Sequence, residues 1–220
     1  MQQYYDRVDA GKVLAHYLKN FTKNPNTLIL ALPRGGVPVA YEVATKLHLP
    51  LDVFIVRKLG IPGHEELAMG ALASGNTVFF NQDIINVSAI SQATIDKVIQ
   101  AEQLELERRE LAYRGHRPFP KLENKTVILI DDGIATGATM NVAATSITKM
   151  KPGRLIIAVP VAALSTCKEM KLLGYELICP LQPINFNSVG SWYELFPQTT
   201  DEEVITLLRK ADMLISQQYK

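Results

Sequence analysis

Asp131 and Asp132 close a run of four β-formers, Val127-Ile128-Leu129-Ile130, and are followed by Gly133-Ile134-Ala135-Thr136-Gly137-Ala138-Thr139. Neighbouring carboxylates at a strand end can accept hydrogen bonds from sugar hydroxyls or hold a divalent cation. The stretch behind them suits an anion. Gly133 and Gly137 let the chain turn and approach a ligand closely, and the N–H groups from Thr136 to Thr139, entering a helix, lack helical carbonyl partners. A phosphate there would be repelled by two idle carboxylates, so the pair must serve something attached to that phosphate. Ribose 5-phosphate satisfies both halves. A buried strand running into an Asp- or Thr-capped helix is the plainer reading, but it explains one polar residue and leaves the others without a role.

Two further segments carry chemistry of the same kind. Pro33-Arg34-Gly35-Gly36 follows an apolar strand at 27–32 and opens a helix expected over 39–47. A glycine pair with an arginine allows close backbone approach and charge pairing with a phosphate, although Gly-Gly turns are common without any ligand. Arg57 and Lys58 leave the strand expected at 51–56 and run into Leu59-Gly60-Ile61-Pro62-Gly63-His64-Glu65-Glu66. Two cations at the carboxyl end of an α/β strand are well placed for an anion; the competing reading is that they are solvated.

The segment from Val127 to Thr139 resembles the phosphoribosyl diphosphate (PRPP) motif of type I phosphoribosyltransferases: an apolar strand, two acidic residues, a short spacer and Thr-Gly-small-Thr. The resemblance implies that Asp131 and Asp132 hold the ribose 2- and 3-hydroxyls, with direct or water-mediated contact to Mg2+ bound with PRPP. It implies that Gly133, Ile134, Ala135, Thr136, Gly137, Ala138 and Thr139 form the loop around the 5-phosphate. Pro33, Arg34, Gly35 and Gly36 fall where the family binds pyrophosphate, commonly through a cis peptide, here between Pro33 and Arg34. Residues 57–66 fall where the family has a flexible lid, which would bring Arg57, Lys58 and His64 to the ligand. The family's variable hood stacks the acceptor base, often on an aromatic ring. The tail from Pro180, with Phe186, Trp192, Tyr193 and Phe196, is the candidate, and Trp192 the ring chosen; packing of these aromatics as a mini-core is the alternative.

The remaining pattern supplies the scaffold. Val13, Leu14, Tyr17, Leu18 and Phe21 recur at helical spacing over 8–21, and 67–73 with 77–80 reads as a hairpin turning at Ser74-Gly75-Asn76. Ser91 opens a long helix over 91–113 with Ile95, Val98, Ala101, Leu104 and Leu111 on one side and Glu105–Arg109 and Glu110–Arg114 as solvated pairs on the other. Strands and helices alternate to Cys179, and a capped helix follows from Thr200. The expected fold is α/β, a doubly wound and mainly parallel sheet of the type I phosphoribosyltransferase kind. It has a core over 1–179, a lid loop over 57–66 and a small C-terminal hood over 180–220.

With 220 residues and a net charge of +1, the chain suits one α/β core and carries no broad basic field for nucleic acid or membrane. Cys167 and Cys179 lack metal-ligand spacing, the N-terminus is not signal-like and no apolar run is of spanning length, so a cytoplasmic protein is expected. The motifs of P-loop nucleotidases and dinucleotide enzymes are absent. These readings converge on an enzyme moving the phosphoribosyl group of PRPP to a nitrogenous base or other nitrogen nucleophile. The partners are small molecules, and the length of helix 91–113 leaves room for a homo-oligomer contact. A PRPP-sensing regulator of the same fold is the rival, and a phosphatase, the third reading, leaves Thr136 to Thr139 without a role.

Overall fold

The computed structural model describes residues 3–75, 77–88 and 90–218; Asn76, the last residue of the expected hairpin turn, lies outside them, as do Met1 and Gln2. Five short strands form a parallel sheet: β1 (Thr27–Ala31), β2 (Leu51–Val53), β6 (Thr126–Ile130), β7 (Arg154–Ala158) and β8 (Glu176–Ile178), in the order β2-β1-β6-β7-β8. Both faces are covered, so β1 and β6 are apolar at nearly every position rather than alternating. On one face Ile29, Ile128 and Ile156 pack under α1 (Arg7–Tyr17), α2 (Gly36–Leu47) and α7 (Asp201–Gln218). On the other, Leu28, Leu30 and Leu129 pack under α5 (Ala138–Lys149) and α6 (Leu164–Leu172). The doubly wound parallel sheet is as expected from the strand and helix alternation.

The second sheet departs from expectation. Residues 51–56 do not form one strand: β2 stops at Val53, and β3 (Val56–Ile61) belongs to an antiparallel sheet with β4 (His64–Ala73) and β5 (Thr77–Phe80). The segment read as a lid loop is therefore largely two paired strands with a turn at Pro62-Gly63. Gly60 and Ile61 sit at register shifts, which interrupt the pairing near the tip. After the short α3 (Gln82–Ser88), α4 (Gln92–Arg114) lies along β3, capped by the Ser91 side chain on the Thr94 N–H. Its buried residues are Ile95, Leu106, Tyr113 and Arg114, while Leu104 and Leu111 of the expected apolar stripe are exposed. A three- to four-residue ladder fits several stripes on so long a helix, and the strands beneath it select one.

Arg114 is not on a solvated face. Its side chain, 3% exposed, bonds Asp52 at 3.0 Å, donates to the Val53 carbonyl at 2.9 Å and lies 3.4 Å from Glu110, whose carboxylate accepts from Ser74 Oγ at 2.7 Å. One guanidinium thus joins the edge strand β2, the antiparallel sheet and α4. Burial pushes the Asp52 carboxyl up, and Arg114 opposes that push. The tail is no separate unit either: α7 places Val204, Leu208 and Ala211 in the same core as α2. Arg114→Ala leaves Asp52 buried without its cation, so a loss of about 3–5 kcal/mol in urea unfolding is expected; a loss below about 1 kcal/mol, the surface-pair range, would show that the three-way junction does not hold the arm to the core.

Candidate active site at the strand switch point

β1 and β6 are parallel neighbours in register, Ala31 beside Ile130. The chain leaves β1 towards α2 on one face and leaves β6 towards α5 on the other, which opens a crevice between their carboxyl ends. Both sequence-predicted loops meet in it. Leu32 N–H donates to the Ile130 carbonyl at 2.9 Å, the Pro33–Arg34 peptide is cis as expected, and α2 opens on Gly35 with no side-chain cap. A Cβ on Gly35 would stand 2.1 Å from Asp132 Oδ2, and one on Gly36 would stand 2.9 Å from Asp131 Cα. Any other residue would drive the β1 loop away from the acidic pair. α5 opens on Gly137, also with no side-chain cap, and its N–H groups from Ala138 to Met140 face the crevice uncommitted among the described residues, whereas in α2 the Gly36 and Val37 N–H groups bond the Leu32 and Arg34 carbonyls, each at 3.1 Å, and Pro38 has none, so α2 offers the positive end of its dipole.

The predicted phosphate turn is held from below. Ile134 N–H donates to the Val161 carbonyl at 3.0 Å, and Thr166 Oγ1 donates to the Ala135 carbonyl at 2.7 Å. Gly137 adopts φ of +79°, and a Cβ there would meet Met170 Cε at 2.5 Å, so α6 also dictates its identity. Ala135, Thr136, Ala138 and Thr139 are exposed and available to a ligand. Ile134, predicted to line the substrate, is instead 3% exposed and points into the core as the anchor of the turn. Gly133 lies under Val189 of the tail.

Charge is the site's main constraint. Asp131 Oδ1 accepts from the Asp132 N–H at 2.8 Å, and burial followed by the neighbouring Asp132 pushes the Asp131 carboxyl well above the usual range. Burial also raises Asp132, opposed by Arg7, whose Nε and Nη2 each lie 2.9 Å from Asp132 Oδ2. With a cation in contact with one carboxyl only, the proton that the pair takes up belongs on Asp131. Arg7 is not among the residues expected from sequence. Its Nη1 donates to the Pro197 carbonyl at 2.7 Å and its guanidinium lies 3.8 Å from the Phe196 ring centre, so it ties α1, the acidic pair and the tail together. The sequence held a signal: Arg7 continues the buried stripe Ala10, Gly11, Leu14, Ala15 of α1, and a charge on such a stripe demands a partner. Tyr193 completes the wall, its hydroxyl donating to the Asp132 carbonyl at 2.5 Å.

Other predicted residues fall elsewhere. Arg34 stands at the crevice, 3.9 Å from Asp201 at the start of α7. Arg57 and Lys58 are consecutive on β3 and so point to opposite faces. Arg57 faces α4, its Nη2 2.7 Å from Glu102, while Lys58 is exposed; the two cannot grip one diphosphate together from this strand. His64 is exposed beside the hairpin tip. Trp192, predicted to stack a base, is 7% exposed and lies against Phe186, with ring centres 6.3 Å apart, in a cluster with Tyr4, Val161 and Tyr193. The mini-core alternative is the one observed, and an N-terminal residue helps to build it.

A family model described as phosphoribosyl transferase domain matches residues 2–192. Two provisionally named phosphoribosyl transferases of Mycobacterium tuberculosis, from strains CDC 1551 and H37Rv, are each 37% identical over 211 residues, 96% of this chain and 47% of theirs. The chain spans about half the length of these curated relatives. The crystal structure of TT1426 from Thermus thermophilus superposes with a TM-score of 0.80 at 35% identity, covering 94% of this chain and 98% of that one. The chain belongs to the phosphoribosyl transferase domain family.

The charge arrangement makes a paired prediction. Because the Asp131 carboxyl is raised on folding, its contribution to stability is lost as pH rises from the ordinary aspartate range through the folded value. Asp131→Asn keeps the oxygen that accepts from Asp132 N–H and should raise the melting temperature at neutral pH, the gain vanishing below about pH 3. Arg7→Ala removes the cation that touches the pair and should cost about 3–5 kcal/mol at neutral pH, less under acid conditions. Melting curves across the acid-to-neutral range test both; a stabilisation by Asp131→Asn that is independent of pH would show that packing, not charge, sets its sign.

Proposed function

We propose that this protein is a Mg2+-dependent transferase that moves the 5-phosphoribosyl group from PRPP to a nitrogen nucleophile, with release of pyrophosphate. The observation that carries the reading is the meeting of the acidic pair with the uncapped α5 N-terminus and with the Arg34-Gly35-Gly36 loop that opens α2, at the β1–β6 crevice. Thr136 to Thr139 and the α5 N-terminus would take the 5-phosphate. The α2 N-terminus with Arg34 would take the diphosphate, and Asp131 a ribose hydroxyl. In the transfer the C1–oxygen bond to pyrophosphate breaks and a C1–nitrogen bond forms. Arg34 and the positive end of the α2 dipole would stabilise charge growing on the leaving oxygens, and Asp131, once ionised, would steady the positive charge on the ribose.

The residues fit a cation. Asp131 and the Asp132 oxygen not taken by Arg7 form a pair short of positive charge, as the raised Asp131 carboxyl reports, and Mg2+ commonly takes one or two carboxylates with the rest of its shell from phosphates and water. Bound with PRPP, the ion would neutralise diphosphate charge. With Trp192 buried, Phe196, 37% exposed beside Arg7 and Tyr193, would be the ring to meet a flat acceptor.

Three measurements test this. Pyrophosphate release with PRPP, Mg2+ and a panel of bases should be acceptor-dependent; PRPP binding without release by any acceptor would favour a sensor of the same fold. Asp131→Asn should weaken PRPP binding at least about tenfold in calorimetry, the scale of one charge-assisted hydrogen bond, in a protein that remains folded; unchanged affinity would remove the role given to the pair. Hydrogen exchange over 57–66 should slow on adding PRPP with Mg2+ if this arm closes on the ligand. Equal exchange with and without ligand would leave the arm a fixed structural element.

A further inference from the structure

The C-terminal half of α1 and the last two turns of α2 enclose a cleft of about 660 Å³, within the size range of small-molecule sites. Lys12, His16 and Lys19 reach it from one side, and Thr45, Lys46 and His48 from the other. Among the described residues none of Lys12, Lys19 and Lys46 is in an ion pair, and Glu42 is the one acidic group lining the cleft. Helix macrodipoles account for part of this, since cations favour the last turn of a helix, as with His16 and Lys46. They do not account for Lys12 in the middle of α1 or for Lys19 beyond its end, both turned to the same space. Thr45 also lines this space, but its Oγ1 is buried out of reach of whatever enters it, so the cations are what the cleft presents.

We propose that this cleft is a binding site for a small, multiply charged phosphate compound, with Lys12, Lys19 and Lys46 as its cationic ligands. It is separate from the crevice at the strand ends. Lys46 lies ten residues along α2 from Gly36, a helical rise of roughly 15 Å. The floor is rigid, because Gly11 meets α2 so closely that a Cβ there would stand 2.7 Å from the Val39 carbonyl oxygen. Glu42 is the one carboxyl group an incoming anion would face there, raised by burial with Lys12 pulling the other way. Three lysines outside any close ion pair, with Glu42 near Lys12 alone, match a diphosphate or triphosphate group better than a single carboxylate or a neutral sugar.

The test uses inorganic tripolyphosphate and ADP as probes at physiological ionic strength, with the His16 and His48 imidazole signals followed by NMR and affinity by calorimetry. To keep the outcome independent of the transferase reading, both wild type and Asp131→Asn are titrated. The expected result is saturable movement of the His16 and His48 signals in both proteins, with affinity reduced about tenfold or more in Lys12→Ala/Lys46→Ala. Tighter binding of ADP than of tripolyphosphate would assign the remaining space to a nucleoside, and the reverse order would assign the site to the phosphate chain alone. Movement that grows without saturation, or that saturates at the same concentration in the lysine variant, would overturn the proposal. Ile147→Val, in the opposite core, controls for changes in fold stability and should leave both signals and affinity as in wild type.

Discussion

Two carboxyl groups are forced together at the end of a buried strand, and much of the surrounding structure answers that constraint. Placing like charges side by side in a partly dehydrated crevice is costly unless one takes a proton or finds a cation. Arg7 supplies a cation to Asp132 alone, leaving Asp131 without one in contact among the described residues. The glycines at 35 and 36 follow from the same demand, since the neighbouring loop closes on the pair only where no side chain intervenes. Tyr193 then seals the backbone side of Asp132. A structure built only for stability would not keep such a pair, which is why its persistence points to a ligand.

The layers on either side of the sheet bring their own parts to this place. α2 and α5 lie on opposite faces and both start at the crevice, so their positive ends converge without either helix crossing the other. α7 comes from the end of the chain to set Asp201 beside Arg34 and to accept the Tyr113 hydroxyl from α4 at 2.5 Å. The loop arginine is thereby referenced to the helix that also carries Glu102 against Arg57. Crevice and antiparallel arm are connected through α4 and α7, and also where Ile55, between β2 and β3, exchanges hydrogen bonds with Ser74 at 2.9 and 3.0 Å.

The sheet, its double winding and the two glycine loops were legible because they rest on local patterns: apolar runs for strands buried on both faces, glycines where backbone must approach, and the order of acidic and threonine residues after β6. Partnerships were not. Arg57 and Lys58 look like a joint cationic pair until β3 turns them to opposite sides, and no local pattern places Glu102 against Arg57 across 45 residues. Trp192 carries the chemistry of a stacking platform, but burial is decided by what packs on it, here Tyr4 and Val161 from distant segments together with Phe186 of the same tail. Arg7 escapes a sequence reading for the opposite reason: its stripe is visible, and its partner is not.

The bonds made by Arg7 also bear on the order in which the molecule comes together. They close loops of 125 residues to Asp132 and 190 residues to Pro197, whereas the turns of α1 and the α4–β3 packing close within far shorter spans. Contacts of long sequence separation are disfavoured by loop-closure entropy until the intervening chain is already compact. The β1–β6 pairing that sets the acidic pair in place, Thr27 beside Thr126, is itself a closure of that kind. A chain in which α1 and the tail are undocked lacks the cation at Asp132, so the protons bound by the acidic pair and the docking of those two segments are thermodynamically linked.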